Sequence, residues 1–209
     1  MWMPIGEEPP AQGPPAQAPP ELPFVDEHHA YLLGFGDGTI RPQDNISRAE
    51  VATIFFRLIE DDFRAEMWRQ AAPYSDVNRN NWHNNAIAIM SNAGLFRGLP
   101  DGSFRPNASI TRAEFAAVAA RFLEEEYFMP VGVRSMSGGL EINDVDGHWT
   151  ERYINTIIHF DWARGFGDGT FRPNDNITRA EVAANCEPHT GPSKRVLQLP
   201  LGGHVDLDR

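Results

Sequence analysis

One five-residue pattern occurs three times in this chain and determines where three helices begin. The copies are residues 46–50 (Ile-Ser-Arg-Ala-Glu), 110–114 (Ile-Thr-Arg-Ala-Glu) and 177–181 (Ile-Thr-Arg-Ala-Glu). A Ser or Thr followed three residues later by Glu is the pattern of a capping box, in which side chain and backbone satisfy each other at the helix start. We therefore assign a structural role to the hydroxyl and carboxylate residues of the three boxes: Ser47, Glu50, Thr111, Glu114, Thr178 and Glu181.

The Arg inside each box stands at the first helical position, where the helix dipole disfavours a cation by up to about 1 kcal/mol. A helix N-terminus with free N–H groups and an added guanidinium attracts a carboxylate or phosphate. The alternative is a surface salt bridge with a nearby acid. Because the locally unfavourable charge recurs three times, we predict that Arg48, Arg112 and Arg179 bind an anionic ligand.

Composition narrows the classes of partner. The chain has 209 residues and a net charge of −11, which argues against nucleic-acid binding because that binding depends on clustered Lys and Arg. Its one cysteine, Cys186, excludes an intrachain disulfide and a thiolate metal cage. No apolar run reaches the length of a membrane span. Residues 1–8 lack the basic start and apolar core of a signal peptide, so we expect an incomplete N-terminus if the protein is exported.

A second repeated segment precedes each box. It reads Asp-Gly-Thr-Ile-Arg-Pro at 37–42, Asp-Gly-Ser-Phe-Arg-Pro at 101–106 and Asp-Gly-Thr-Phe-Arg-Pro at 168–173. Asp-Gly predicts a tight turn and Pro ends the extended piece that follows it. The segments lack the acidic array of a calcium loop, and we expect no metal and no cofactor.

Apolar residues place one helix after each box and another before each turn. After the first two boxes they recur at helical spacing, so we predict core-facing stripes. Before the second and third turns, Asp76 and Asp144 are expected to cap or turn into the first helix, and Trp82 and Trp149 to pack on its first turn. The first repeat has room for little or no first helix. Residues 60–73 and 124–141 are expected to be connectors, the former helical at its start.

Together, the turn, the box and the flanking helices in three copies resemble the S-layer homology (SLH) domain, over about residues 24–184. The resemblance implies a mainly α fold of three helix–loop–helix units around a pseudo-threefold axis. It also implies non-covalent anchoring to a secondary cell-wall polysaccharide attached to peptidoglycan, often pyruvylated, and hence an extracellular location at the bacterial cell wall or S-layer. The polymer would lie in grooves between units, bound by Arg48, Arg112 and Arg179, with Asp76, Trp82, Asp144 and Trp149 shaping the same grooves.

These features divide the chain into five parts. They are a disordered Pro-rich linker (1–23), unit 1 with a short first helix and its connector (24–73), unit 2 with its connector (74–141), a truncated unit 3 (142–184) and an aberrant, disordered tail (185–209). In the tail, Pro188 would break the third boxed helix. Codons compatible with residues 185–192, shifted by one base, can encode a peptide that continues the apolar stripe, so we hypothesise a frameshift.

Two other functions compete with anchoring. No His-Glu-x-x-His or Gly-x-Ser-x-Gly pattern is present and the 7 His residues are dispersed, so we expect no catalytic residue in this chain. An enzyme or other cargo domain could precede the linker, which would make this chain its anchor. A protein-docking module on the same helical scaffold is the remaining alternative, and it would depend on an exposed apolar patch.

Overall fold

The computed structural model describes residues 32–59, 61–122, 136–137 and 139–186. Helices occupy most of the regular structure in this part, so the expected helical class is confirmed. Their bounds are α1 Arg48–Leu58, α2 Asp61–Glu66, α3 Asn84–Asn92, α4 Arg112–Phe122, α5 Glu151–His159 and α6 Arg179–Cys186. A pair of two-residue strands, β1 Met136–Ser137 and β2 Leu140–Glu141, is antiparallel with Ser137 opposite Leu140. The described residues begin at residue 32, so the linker and the predicted short first helix of unit 1 lie outside them.

The boxed helices bury the stripes that their spacing predicts. α1 buries Val51, Ile54 and Phe55, and α4 buries Phe115 and Val118, among others. The second helix of one unit packs against the first helix of the next, since α1 contacts α3 and α4 contacts α5. The core is therefore built between units, and a single unit would leave one face of each helix open.

Aromatic rings join the boxed helices of units 1 and 2. The ring of Phe55 lies 5.1 Å from that of Phe122, edge-on, and 6.1 Å from that of Phe115. Edge-on and tilted pairs at such distances are favourable arrangements of aromatic quadrupoles. α6 is shorter, and the residues that it buries are Arg179 and Val182. It ends at Cys186, two residues beyond the predicted limit of unit 3, and the rest of the tail lies outside the described residues.

The Asp-Gly turns share one hydrogen-bond pattern. Asp101 Oδ1 accepts from the backbone N–H and the hydroxyl of Ser103, at 2.9 and 2.6 Å, and its Oδ2 accepts from Arg105 Nη2 at 3.0 Å. Asp37 and Asp168 make the same bonds. The central Gly102 has φ +79° and Arg105 has φ +56°, so each turn holds two left-handed residues. The side-chain bonds fasten this strained backbone.

These carboxylates make stability depend on pH. Hydrogen bonds from Ser103 and Arg105 lower the pKa of Asp101 from 3.8 to about 2, and those from Thr170 and Arg172 lower the pKa of Asp168 similarly, to about 2. Because the folded pKa lies below the unfolded one, the stabilisation is complete above about pH 4–5 and is lost as pH falls through about 2.

Urea unfolding at a series of pH values should therefore show a constant midpoint above about pH 5 and a falling midpoint from about pH 4 to about pH 2. The double variant Asp101→Asn, Asp168→Asn should start lower and fall less steeply. A variant that loses stability as steeply as the wild type over this range would contradict the assignment to these two carboxylates.

Glycines just before each turn are required by close packing. A Cβ on Gly98 would overlap the ring of Tyr74 and lie 2.9 Å from the carbonyl oxygen of Ser103. A Cβ on Gly165 would similarly lie 2.8 Å from the oxygen of Thr170, and one on Gly34 2.9 Å from that of Thr39. The same approach in three repeats shows that the chain must pass its own turn without a side chain at this position.

Gly98→Ala is accordingly expected to lower the free energy of unfolding by about 1–3 kcal/mol, the usual cost of forcing an extra carbon into a packed site. Gly167→Ala is the matched control, because a Cβ there meets no atom within 4 Å. Its effect should stay within about 0.5 kcal/mol. Equal losses in the two variants, measured by urea unfolding, would show that the close contact is not the cause.

Candidate functional site

All three capping boxes are present, as the sequence predicts. In unit 1 the backbone N–H of Ser47 donates to Glu50 Oε2 at 2.9 Å, and the Glu50 N–H donates back to Ser47 Oγ at 3.3 Å. Thr111 with Glu114, and Thr178 with Glu181, make the same reciprocal bonds. The boxed Glu thus uses one carboxylate oxygen for its own helix.

The next two N–H groups of each helix are not free, which corrects the expected open anion site. Arg112 N–H donates to the carbonyl of Asp175 at 2.8 Å and Ala113 N–H to that of Pro173 at 2.9 Å, both in the following repeat. Arg48 and Arg179 have equivalent partners in Ala108 and Asp44. The sequence pattern describes only the local helix, so it cannot show that carbonyl groups of a distant loop accept hydrogen bonds from these N–H groups.

The boxed Arg side chains are buried, with 7%, 5% and 2% of the surface of Arg48, Arg112 and Arg179 exposed. Each guanidinium reaches into another unit. Arg112 Nε donates to Phe171 O at 2.7 Å, Nη1 to Glu181 Oε1 at 2.7 Å and Nη2 to Arg164 O at 3.4 Å. The ring centroids of Phe171 and Phe166 lie 4.6 and 4.7 Å from its guanidinium carbon. The salt bridge is therefore the correct alternative, but its cation is buried and the bridge joins two units.

The same three bonds recur at the other two junctions. Arg48 of unit 1 donates to Phe104 O, Glu114 and Arg97 O of unit 2, at 2.8, 3.0 and 3.2 Å. Arg179 of unit 3 donates to Ile40 O and Leu33 O of unit 1, at 2.8 and 2.7 Å, and also to Glu50. The boxed Glu therefore uses its second oxygen for the Arg of another unit.

Contacts between the units run in a closed cycle. Ile46 N–H donates to Ile177 O, Ile177 N–H to Ile110 O and Ile110 N–H to Ile46 O, each at 3.1 Å. The Arg bonds run from unit 1 to unit 2, from unit 2 to unit 3 and from unit 3 to unit 1. The order of contacts is thus cyclic, while the pseudo-threefold axis stays a prediction.

Burial and pairing act against each other on these guanidinium groups. Burial lowers the pKa of Arg48, and the nearby Glu114 carboxylate acts in the opposite direction. The pKa of Arg112 is likewise lowered by burial, with Glu181 opposing the change. An Arg guanidinium remains charged at any physiological pH. Each junction therefore contains a buried cation balanced by one carboxylate.

Asp76 and Asp144 connect the first half of their unit to its turn. They do not cap α3 and α5, which is one of the two roles that the sequence predicts for them, because the N-caps are His83 and Thr150. Asp144 Oδ1 and Oδ2 accept from the backbone N–H groups of Phe171 and Arg172, both at 2.7 Å. Asp76 makes the same pair of bonds to Phe104 and Arg105. Because Arg48 and Arg112 bind the carbonyls of Phe104 and Phe171, each Asp and Arg fix opposite sides of one residue.

Trp82 and Trp149 are exposed by 67% and 61%, so the prediction that they pack on the helix is wrong. They precede α3 and α5, while the helix caps are the neighbouring His83 and Thr150. The core-facing positions of these helices are taken by Ile87, Ile154 and similar residues. The indoles therefore lie on the surface, next to the rings of His83 and His148.

A groove of about 310 Å³ lies at the junction of units 2 and 3. Its lining includes Arg112, Asp161, Arg164, Phe166, Glu181 and Asn185. Sequence reasoning identified Arg112 and Glu181 but missed Asp161, Arg164 and Phe166. Phe166 stands where unit 1 has Phe35 and unit 2 has Leu99, so comparison of the repeats could have indicated it. In the described residues, no group of three or more His, Cys, Asp or Glu could hold a metal ion.

Helical units joined by repeated Arg–Glu pairs define a modular repeat protein. Residues 29–52, 73–116 and 141–183 match the S-layer homology domain. The chain therefore belongs to the S-layer homology domain family, as the turn and box segments indicate. No helix in the described ranges has both the length and the apolar character needed to cross a membrane.

Similar proteins are much longer than this chain. Cell surface glycoprotein 1 of Acetivibrio thermocellus is 39% identical over 164 residues, which are 76% of this chain and 7% of that protein. The cellulosome-anchoring protein of the same organism is 37% identical over 76% of this chain and 35% of its own length. An amylopullulanase of Thermoanaerobacterium thermosulfurigenes is 31% identical over 72% of this chain and 8% of that enzyme. The shared segment thus occurs in cell-surface and anchoring proteins and is a small part of an enzyme.

Proposed function

We propose that this chain is a non-covalent cell-surface anchoring module that binds a secondary cell-wall polysaccharide carrying carboxylate substituents such as pyruvate ketals. The observation that carries the proposal is the groove between units 2 and 3, which has the Arg112 guanidinium in its wall. Relatives named as a cellulosome-anchoring protein and an S-layer protein support the same role.

The guanidinium keeps donors for a ligand. An Arg side chain has five N–H groups, and the bonds to the next unit use one on each nitrogen. Nη1 and Nη2 of Arg112 therefore each retain a second N–H. A carboxylate in the groove would accept from these preorganised donors, which Glu181 and the two carbonyls hold in place. Arg48 and Arg179 would act in the same way at the other junctions.

The other predicted residues divide into two roles within this proposal. Asp76 and Asp144 use both carboxylate oxygens to hold the turn, so they shape the junction and leave polymer contact to other residues. Trp82 and Trp149 present exposed apolar rings, the kind of surface on which the apolar face of a sugar can stack. The polymer would thus meet aromatic rings outside and cations at the junctions.

Protein docking on the same scaffold is the second candidate, and the exposed indoles favour it as well. Trp68, which lies in the connector after α2, is 54% exposed and belongs to no repeated position. A docking surface would include Trp68, whereas a repeated polymer site would not. In either case the similarity to small parts of long surface proteins supports a cargo domain elsewhere in the whole protein.

Co-sedimentation with bacterial wall sacculi tests the proposal. The chain should sediment with sacculi that retain their secondary polymer and stay in solution after that polymer is removed chemically. Heat-unfolded chain is the control for adsorption. Equal sedimentation with both preparations, or with neither, would contradict polymer binding and leave protein docking as the leading function.

A further inference from the structure

The helices α3 and α5 end in the same way, but with different residues at the critical position. After α3, Gly94 has φ +76°, and after α5 the equivalent residue is Asp161 with φ +58°. The N–H groups of the following residues, Leu95 and Trp162, close both helix ends on Met90 and Ile157. A left-handed conformation is costless for Gly but strained for other residues, with Asp and Asn among the more tolerant. Asp161 therefore adopts a conformation that is less favourable for it than for Gly.

Asp161 lines the groove between units 2 and 3 and pairs there with Arg164. Arg164 Nε donates to Asp161 Oδ1 at 3.0 Å and Nη2 donates to Oδ2 at 3.2 Å, a two-point ion pair at the groove edge. Arg112 pairs with Glu181 in the same groove, so each of its two arginines faces a carboxylate.

The junction between units 1 and 2 has a different balance. Arg48 pairs with Glu114 as Arg112 does with Glu181, and Arg97 stands where Arg164 stands, since their carbonyls accept from Arg48 and Arg112. The residue opposite Arg97 is Gly94, which has no side chain. Arg97 is exposed, and no acceptor for its guanidinium is found in the part of the chain that the structure describes. Among the described residues, Arg97 thus lacks the carboxylate partner that Asp161 provides for Arg164.

We propose that Gly94 and Asp161 determine how tightly each junction binds the carboxylate groups of the polymer. At the unit 1–2 junction, Arg97 adds a second cation beside Arg48, so the carboxylate-bearing residue of the polysaccharide binds there more tightly. In the unit 2–3 groove, Asp161 pairs with Arg164 and repels the same carboxylate, so Arg112 binds it there less tightly. The inference rests on the proposed function, and it assigns unequal affinities to junctions that are built from the same backbone contacts.

The test measures affinity for two probes, the purified pyruvylated wall polysaccharide and the same polymer after mild-acid removal of pyruvate. Asp161→Asn keeps a residue that tolerates the left-handed conformation and removes only the charge. Its ratio of affinities, pyruvylated over depyruvylated, should rise about two- to fivefold, the range for an exposed charge contact. Gly94→Asp should lower the ratio by about the same factor, and there is room for its side chain because no atom lies within 4 Å of an added Cβ.

Gly94→Asn is the matched control and should leave the ratio near that of the wild type. The two charge effects should shrink in high salt. Ratios that stay at the wild-type value in both Asp161→Asn and Gly94→Asp, while the wild type binds the polymer, would overturn this inference alone. A wild-type chain that binds neither probe would overturn the proposed function and this inference with it.

Discussion

Replacing Arg112 with alanine is expected to lower the free energy of unfolding by about 3–5 kcal/mol, the cost of removing one partner from a buried ion pair. The change leaves three acceptors without their donor, namely the Glu181 carboxylate and the carbonyl oxygens of Phe171 and Arg164. It also removes the cation between the rings of Phe166 and Phe171. Urea unfolding of the purified variant measures the effect.

Arg164→Ala is the matched control, because Arg164 is also paired with a carboxylate but its side chain is 70% exposed. Water screens that pair, so the loss should be a small fraction of the loss in Arg112→Ala. Similar losses in the two variants would show that burial at the junction contributes little. The comparison also matters for binding experiments, since a failure of Arg112→Ala to bind polymer would not separate a lost ligand contact from a lost fold.

Removing both exposed indoles, Trp82→Ala with Trp149→Ala, is expected to weaken binding to the wall polysaccharide by at least about tenfold, because truncating an aromatic contact of this size commonly costs more than 1 kcal/mol. Stability should hardly change, since both rings are mainly in solvent. Binding to purified polymer and thermal unfolding of the same preparation separate the two effects.

Trp68→Ala distinguishes the anchoring proposal from protein docking. Trp68 is exposed to a similar extent, 54%, but lies outside the repeated positions. Polymer binding should be unaffected by its removal if the repeats form the site. A double variant that binds as the wild type does, or a Trp68→Ala variant that loses binding equally, would contradict a role for Trp82 and Trp149 in polymer recognition.

Features that depend on neighbouring residues could be predicted from the sequence. The capping box of Ser47 and Glu50 needs only four consecutive residues, and the buried face of α1 needs only the 3.6-residue period. Both predictions are confirmed. The helical class follows from the same local information, repeated three times.

Features that depend on residues far apart in the chain could not be predicted from the sequence. Arg48 is bonded to Phe104 O, 56 residues away, and Arg179 to Glu50, 129 residues away. A cation at a helix start therefore suggested an external anion, whereas the structure supplies the balancing carboxylate from another unit. The contact of Asp76 with its turn is hidden from the sequence for the same reason, since its partners are 28 and 29 residues further along the chain. The exposure of Trp82 could not be predicted, because Trp82 lies before α3 and the helical spacing that indicates buried positions does not extend to it.

The bonds from Arg179 back to Leu33, Ile40 and Glu50 give each of the three described units two neighbours. In an open stack of repeats, a terminal repeat has one neighbour. It unfolds first, because its detachment breaks only one interface. Here the detachment of any unit breaks two interfaces, so the described units should open together or not at all. A mechanical force applied to unit 1 or unit 3 would then have to break two interfaces, where in an open stack it would break one.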